Sequence, residues 1–346
     1  MPENTIRVAH LINPFLSCTQ SWIYNQIRFN NSCSHSVLCQ TVENIQMFPF
    51  SPVYPVYHTH SVAAQVHMLF ARLFARYPKR PHRDAVRKEH PDLFHARFAW
   101  EAWRNRALID TTGLPLVTTF YGLDVTRLPR KAIWRRRYRI LFDSGCRFIV
   151  EGPVMAERLI GLGCPEHKVR IIPIGIDIES IDRDWQHGDE RTIDILHVGV
   201  SREKKGAEYT ARAFSAVADT DPRCRLHVVG DGVYRQRVER ICREAGVENR
   251  VHFHGYLSFS DYLALLGTMD IVMAPSVTAA NGDTEGGAPV TIIEASAAGK
   301  PVIGSLHCDI PSIVSDGESG YLCQERDVRC LVEKLAVLVG DPGKRL

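Results

Sequence analysis

Between Glu285 and Glu294 runs Gly286-Gly287-Ala288-Pro289-Val290-Thr291-Ile292-Ile293, a glycine-rich loop that passes into a helix-like segment. Proline is favoured at a helix's first position and glycine just past its end, so the pattern predicts a helix from about Pro289 to Gly299. Its open N–H groups and its dipole would form an anion site. Glu294 lies one turn in, flanked by Ile292, Ile293 and Ala295 near a buried face, where an acid needs a partner. Vicinal sugar hydroxyls would supply one. Upstream, Val200-Ser201-Arg202-Glu203-Lys204-Lys205-Gly206 is a basic turn between a strand and a helix, suited to a diphosphate. Val229-Gly230-Asp231-Gly232 is a tight glycine turn at the next strand's end. Taken alone, a solvated basic turn and a plain glycine turn explain these two equally well.

The elements that must position these residues alternate along the chain. Strands are predicted at Ile6–Asn13, Ser36–Gln40, Leu114–Phe120, Arg147–Val150, Val169–Ile172, Ile193–Gly199, Arg225–Gly230, Val251–His254, Asp270–Ala274, Pro301–Gly304 and Gly320–Cys323. Helices are predicted at Gln20–Phe29, Val154–Leu162, Ala207–Ala218, Tyr234–Ala245, Phe259–Leu266 and Val328–Leu338. Strand–helix–strand alternation implies parallel sheets covered on both faces. Residues 175–191, rich in Asp, Glu and Gly and without periodicity, read as a linker. The expected organisation is therefore an α/β chain of two doubly wound domains, 1–174 and 192–340, facing a cleft where ligands would settle.

The 346 residues are 45% hydrophobic and 23% charged, which excludes disordered and fibrous classes. No apolar run approaches the roughly 18–20 residues of a membrane span. The opening residues, with Glu3 and Arg7, do not resemble a signal peptide. Ten scattered cysteines with no C-x-x-C pair are expected to be reduced core thiols in a cytoplasmic protein. The net charge of +3 conceals an asymmetry: residues 1–170 hold 23 Lys and Arg against 12 Asp and Glu, and the remainder holds 19 against 27. Such a basic half suits an anionic partner. Its two densest stretches are Ala71–Lys88 and Arg127–Arg139. In the second, Ile133, Trp134 and Tyr138 interleave with arginines, as in helices that lie on lipid surfaces. A solvated basic face is the alternative. A nucleic acid is not expected, because no recognition motif accompanies the charge.

The ordered series VGVSREKKG, VVGDG, VHFHGYLSFSDYLALL, DIVMAPS, EGGAPVTIIEASAAGKPVI and GESGYLC resembles a family 4 retaining glycosyltransferase of the GT-B fold. The likeness is close over residues 170–335. In the first half it continues more loosely in DLFHA (Asp92–Ala96), VTTFYGLDV (Val117–Val125) and IPIGID (Ile172–Asp177). The opening NPFLSCTQSWIYNQI is similar to the group 1 enzymes that build cell-surface polysaccharides and lipopolysaccharides.

The resemblance implies transfer of a sugar from a nucleotide-sugar donor to a glycan or lipid-linked acceptor, with retained anomeric configuration and no metal or other cofactor. It implies that Lys205 binds the diphosphate, with Arg202 beside it, and that Glu294 holds the ribose hydroxyls. Glu285 would contact the donor sugar near the anomeric centre, and the backbone of Gly287, Ala288 and Val290 would cradle phosphate and sugar. From the first half, Tyr121, Asp124 or His95 would reach the donor sugar, each having a structural alternative as packed aromatic, turn cap or strand-end histidine. The expected location is cytoplasmic, peripheral on the inner membrane face.

Four features depart from the family pattern. Eight residues separate the two glutamates instead of seven, the extra one falling in Gly286–Ala288; Val200 stands where an arginine is usual; Tyr121 replaces a histidine; and little sequence follows Asp341. These motivate a second expectation, a non-catalytic or truncated GT-B scaffold that binds a partner or a membrane.

Overall fold

A computed structural model describes residues 5–17, 20–57, 80–181, 192–200 and 202–345. The chain divides into two compact units, Met1–Gly175 and Ile176–Leu346.

The first unit is a seven-stranded sheet: β1 (Ile6–Leu11), β2 (Cys33–Cys39), β3 (Val53–Pro55), β4 (Leu93–Arg97), β5 (Leu116–Thr119), β6 (Arg147–Val150) and β7 (Val169–Ile171). Their order is β3-β2-β1-β4-β5-β6-β7, with parallel pairing throughout. Around it lie α1 (Ser21–Arg28), α2 (Arg80–Glu89), α3 (Ala99–Arg104), α4 (Arg106–Thr112), α5 (Leu123–Thr126), α6 (Ala132–Ser144) and α7 (Pro153–Gly161).

The second unit repeats the plan with β8 (Ile193–Val198), β9 (Cys224–Val229), β10 (Val251–Gly255), β11 (Ile271–Ala274), β12 (Val302–Ser305) and β13 (Gly320–Cys323), in the order β10-β9-β8-β11-β12-β13 and again all parallel. Its helices are α8 (Ala207–Thr220), α9 (Arg235–Glu244), α10 (Phe259–Thr268), α11 (Val290–Ala297) and α12 (Val328–Gly340).

Successive strand residues enter opposite cores, which is why a central strand such as β11 reads as a continuous apolar run. On β11, Ile271 and Met273 join one cluster with α8 and α12, while Val272 and Ala274 join another with α10 and α11. On β2, Leu38 and its neighbours Val37 and Cys39 divide in the same way between the two cores of the first unit. Helix α8 buries Ala207, Thr210, Ala211, Phe214, Val217 and Ala218, a helical stripe three or four residues apart. Losing a fully buried ring such as Phe214 costs about 3–5 kcal/mol. Chain order reverses direction between β1 and β4, and again between β8 and β11. Ligands of doubly wound sheets bind beyond the strand ends at such switch points.

Several expectations need revision. Segment β3 contains Pro55 and β4 carries His95 and Arg97, so neither reads as an apolar strand, yet both pair in the sheet. The region read as a linker is partly packed: Ile176 and Ile181 sit on the second unit's core, and 182–191 lie outside the described residues. The cysteines are not all thiols, because Cys323 of β13 is disulfide-bonded to Cys330 of α12, seven positions on. Of the two basic stretches, 71–79 lie outside the described residues, and α2 covers the rest of the first. The second forms the helix α6, whose inner face, Tyr138, Leu141 and Phe142, is core. Its outer face shows Ile133, Arg135, Arg136 and Arg139.

Candidate active site

At the second unit's switch point, two loops are locked together by a glycine. Gly206 has φ 71°, and a Cβ there would lie 1.9 Å from the Pro275 carbonyl oxygen. Only glycine allows that approach. The Val277 N–H completes the seam by donating to the Lys204 carbonyl at 2.9 Å. The 3-10 turn Glu203–Lys205 is thereby pressed along the segment that follows β11.

The seam brings three charged side chains to one point. Lys205 Nζ lies 3.0 Å from Glu285 Oε1, and Lys204 Nζ lies 3.6 Å from Oε2. Ser276 Oγ donates to Oε1 at 3.2 Å. Lys204 is buried; it donates to the Thr284 carbonyl at 2.7 Å and also faces Asp283 at 3.5 Å. Burial would raise the Glu285 carboxyl, but Lys205 and then Lys204 outweigh it and hold the group at about 2. Glu285 is an anion at any working pH. Arg202 is more exposed and reaches Asp283 at 3.6 Å, so it joins the cluster through that acid. Val200 is fully buried in the core and does not present a side chain to the site.

Glu285 is fixed from behind as well. Its N–H donates to His307 Nε2 at 3.2 Å, while His307 Nδ1 pairs with Glu325 Oε1 at 2.6 Å. Glu325 in turn accepts from the Thr278 N–H at 2.8 Å and its hydroxyl at 3.1 Å. Burial lowers the His307 pKa, but Cys308, Glu325 and Glu285 around it raise it overall.

Beyond Glu285 the chain reaches α11. Pro289 sits just before its first helical residue, Val290. Among the described residues, the N–H groups of Gly286, Gly287, Ala288 and Val290 donate to no acceptor, as expected of an open helix start. One turn along, Glu294 is buried and accepts a 2.9 Å hydrogen bond from the Tyr262 hydroxyl of α10. Burial, opposed by that bond, pushes its carboxyl up to about 7. Few partners surround this acid, in contrast to the crowded Glu285, and two added donors would suit it.

In the first unit, the candidates lie at the ends of β4 and β5. Tyr121 is buried; its hydroxyl accepts from Arg97 at 2.9 Å and its ring meets Trp22 and Phe98 edge-on. Burial raises the phenol's pKa against the pull of Arg97. Asp124 is fully buried, and its carboxylate accepts the Tyr121 N–H at 2.7 Å and the Ala99 N–H at 3.1 Å. That is the geometry of a turn cap. His95 Nε2 lies 2.7 Å from Thr119 Oγ1 and its ring packs on His10. Burial and the Arg97 charge lower it well below an ordinary imidazole. Tyr121 and Asp124 are thus joined directly, and His95 stands on the neighbouring strand.

Sequence reasoning singled out Lys205, Glu285 and Glu294 but passed over Lys204, Ser276, Asp283, Tyr262 and His307. The doubled lysine before Gly206 was the available signal for Lys204.

The family described as "Glycosyl transferases group 1" matches residues 178–346, and "Glycosyltransferase Family 4" matches residues 36–180. The chain is 29% identical over 221 residues to the putative colanic acid biosynthesis glycosyltransferase WcaL of Escherichia coli, covering 64% of this chain and 54% of that protein. It is 28% identical over 215 residues to the amylovoran biosynthesis glycosyltransferase AmsK of Erwinia amylovora, covering 62% and 53%. The alignment spans about half the length of these relatives. Among solved structures, Anabaena Alr3699/HepE in complex with UDP and glucose superposes with a TM-score of 0.73 over 98% of this chain and 91% of that one, at 17% identity. A glycosyltransferase from Rickettsia africae gives 0.74 over 98% and 89%, at 16% identity. These structures share the GT-B architecture of two doubly wound domains.

Proposed function

The chain belongs to the group 1, family 4 glycosyltransferases, and from that premise we propose that it moves a sugar from a nucleotide-sugar donor to a glycan or lipid-linked acceptor in cell-surface polysaccharide synthesis. The observation that carries this reading is the Lys204–Lys205–Glu285 cluster beside the open start of α11, at the second unit's switch point. The relatives' names, colanic acid and amylovoran biosynthesis, support the polysaccharide assignment. The UDP and glucose of the HepE complex support a nucleotide sugar.

In this reading Lys205 carries the diphosphate, with Arg202 adding charge from the same turn. Backbone N–H groups at Gly287, Ala288 and Val290 receive phosphate and sugar oxygens. Negative charge grows on the leaving diphosphate as the glycosidic bond breaks, and fixed cations and dipoles there lower the barrier. Those cations do this without a metal ion. Glu294 accepts both ribose hydroxyls. Glu285, kept ionised by its lysines, faces the donor sugar, and the anomeric configuration is retained. On the first unit, Tyr121 is the candidate group for the donor sugar, and Asp124 caps the turn that holds it.

The exposed row Arg127, Arg130, Lys131, Arg135, Arg136 and Arg139, with Ile133 half exposed, supports contact with an anionic membrane on the inner face, where a lipid-linked acceptor would lie. Sedimentation with anionic but not neutral vesicles tests that part.

A thermal-shift series of nucleoside diphosphates tests the enzyme reading. At 100 times its dissociation constant, a ligand adds about 2.7 kcal/mol of stability. We expect UDP or GDP to raise Tm in the native chain and to lose this effect in Lys205→Ala. No shift with any nucleoside diphosphate would sink the proposal.

A further inference from the structure

Behind Glu285, three side chains stand in the order nucleophile, base, orienting acid. Cys308 Sγ lies 3.3 Å from His307 Nε2, and His307 Nδ1 lies 2.6 Å from Glu325 Oε1. Glu325 accepts a hydrogen bond from Nδ1–H, which leaves the Nε2 lone pair shared between the Glu285 N–H and the thiol. The acid does not swing, because the Thr278 N–H and hydroxyl hold its two oxygens and Arg326 adds a contact at 3.1 Å. His307 is buried, whereas Cys308 is partly exposed. A base-paired thiol within reach of solvent is the arrangement that makes cysteines reactive. The remaining described thiols contrast with it. Burial pushes those of Cys164 and Cys224 up to about 12 and that of Cys242 up to about 11 and raises that of Cys39 as well, and among the described residues neither the half-buried Cys33 nor the exposed Cys146 is hydrogen-bonded to a base.

We propose that Cys308 is a His307-activated thiol that exchanges with small disulfides, and that its capping closes the donor site at Glu285. In the exchange, His307 Nε2 takes the thiol proton and the Cys308 sulfur attacks one sulfur of the disulfide. A new S–S bond forms, the old one breaks, and the departing thiolate leaves with the proton from His307. Glu325 holds the imidazolium in between. No other oxidant is needed, since the disulfide is itself the co-reactant.

The coupling to Glu285 is direct. Cys308 Sγ donates to the Glu285 carbonyl at 3.4 Å, and the Glu285 N–H donates to His307 Nε2. A group bonded to Sγ displaces both contacts, and with them the backbone that aims Glu285 at Lys205. This second half of the inference rests on the donor-site reading above; the reactivity of the thiol does not.

The test uses the full chain, glutathione disulfide at pH 7 and peptide mapping by mass spectrometry. We expect Cys308 to be modified about tenfold faster than the exposed Cys146. Glu325→Gln should slow Cys308 at least about threefold and leave Cys146 unchanged. In the native chain, iodoacetamide labelling of Cys308 should persist to lower pH than that of Cys146, a readout that needs no variant. Equal rates at the two cysteines, or parallel pH profiles, overturn the assignment. UDP or GDP, whichever raises Tm, should slow capping of Cys308, and the capped protein should lose that nucleotide's Tm shift. If labelling is fast but indifferent to a nucleotide that does raise Tm, the coupling falls and the reactive thiol stands. If no nucleotide raises Tm, the donor-site reading fails separately.

Discussion

The 3.0 Å contact between Lys205 Nζ and Glu285 Oε1 makes an acid of the site the counter-ion of the lysine proposed to hold a diphosphate. Any anion that binds Lys205 must compete with that carboxylate, or share the lysine with it. Lys204, on the other carboxylate oxygen, keeps Glu285 charged and in place when Lys205 turns to a ligand. On the proposed reading two adjacent lysines do different work, one structural and one facing the ligand.

Neutralising Glu285 separates those roles. In Glu285→Gln, Lys205 loses its competitor, so UDP or GDP should bind a few-fold more tightly by calorimetry while sugar transfer falls by about a hundredfold or more. The variant should also be less stable. The folded-state pKa of about 2 lies below the ordinary 4.5, so the native carboxylate stabilises above 4.5 and loses that contribution as pH falls toward 2. The Tm gap between native and variant should accordingly be widest near pH 7 and narrow below pH 4. A pH-independent gap would contradict the ion-pair account.

The lysines should part company in melting experiments. Lys204→Met takes the buried cation from two buried acids, Asp283 and Glu285, and should cost about 3–5 kcal/mol, the usual result of breaking a buried pair from one side. Lys205→Met removes one of the two lysines on the buried Glu285 but spares Asp283 and the Thr284 carbonyl, so it should cost less than Lys204→Met, yet abolish the nucleotide-induced Tm shift. Similar losses of stability in the two variants would refute the division of labour.

Much of this architecture was legible in the sequence, and the exceptions have physical causes. The apolar strands were visible because both of their faces are buried, so Ile271–Ala274 reads as an unbroken run. The strand β4 was not, because Leu-Phe-His-Ala-Arg places His95 and Arg97 in the sheet, where they meet Thr119 and Tyr121 instead of an apolar layer. Glu294 could be placed by its distance from Pro289 within one helix. Which of Lys204 and Lys205 points inward could not, since that depends on Gly206 meeting Pro275 across some 70 residues of chain. The Cys323–Cys330 bond was hidden for a related reason: it joins a strand to the next helix, and spacing alone does not mark it. Asp124 was named for its charge, but its carboxylate is occupied by two backbone amides.

That geometry makes Asp124 a test of position against chemistry. Asp124→Asn keeps an acceptor but replaces one carboxylate oxygen with a donor facing an N–H. It should destabilise the first unit by about 1–3 kcal/mol in urea melts. Tyr121→Phe removes only the hydroxyl that accepts from Arg97, and should cost about 1 kcal/mol while lowering transfer more than it lowers stability. An Asp124→Asn protein of native stability with no transfer would instead make Asp124 a group that acts on substrate.

Gly206 offers a purely steric test. In Gly206→Ala the Cβ would lie 1.9 Å from the Pro275 oxygen, at a φ of 71° that alanine resists. The loops must separate, and Lys204 and Lys205 must then leave Glu285. We expect a loss of more than about 2 kcal/mol together with the nucleotide response. Gly246→Ala shares a positive φ but would bring its Cβ within 4 Å of nothing, so it measures backbone strain alone and should leave nucleotide binding intact.

The most informative single change is Glu294→Gln, because it should move stability and binding in opposite directions. Burial raises the Glu294 carboxyl from 4.5 to about 7, so the folded chain holds a proton there that the unfolded chain releases between those values. Unfolding is then progressively favoured as pH rises from 4.5 to 7, and above 7 the full penalty of a buried charge remains. Glutamine keeps the shape and an acceptor for the Tyr262 hydroxyl without that charge. The variant should therefore melt several degrees higher than the native chain at pH 8 and at about the same temperature at pH 5. Nucleotide binding should respond the other way. A ribose donating two hydroxyl hydrogen bonds favours the carboxylate, so native affinity should rise as pH passes through 7, and the variant should lose about tenfold or more at pH 8 with no pH dependence from this group. If the variant binds UDP or GDP as tightly as the native chain at pH 8, Glu294 does not hold the ribose.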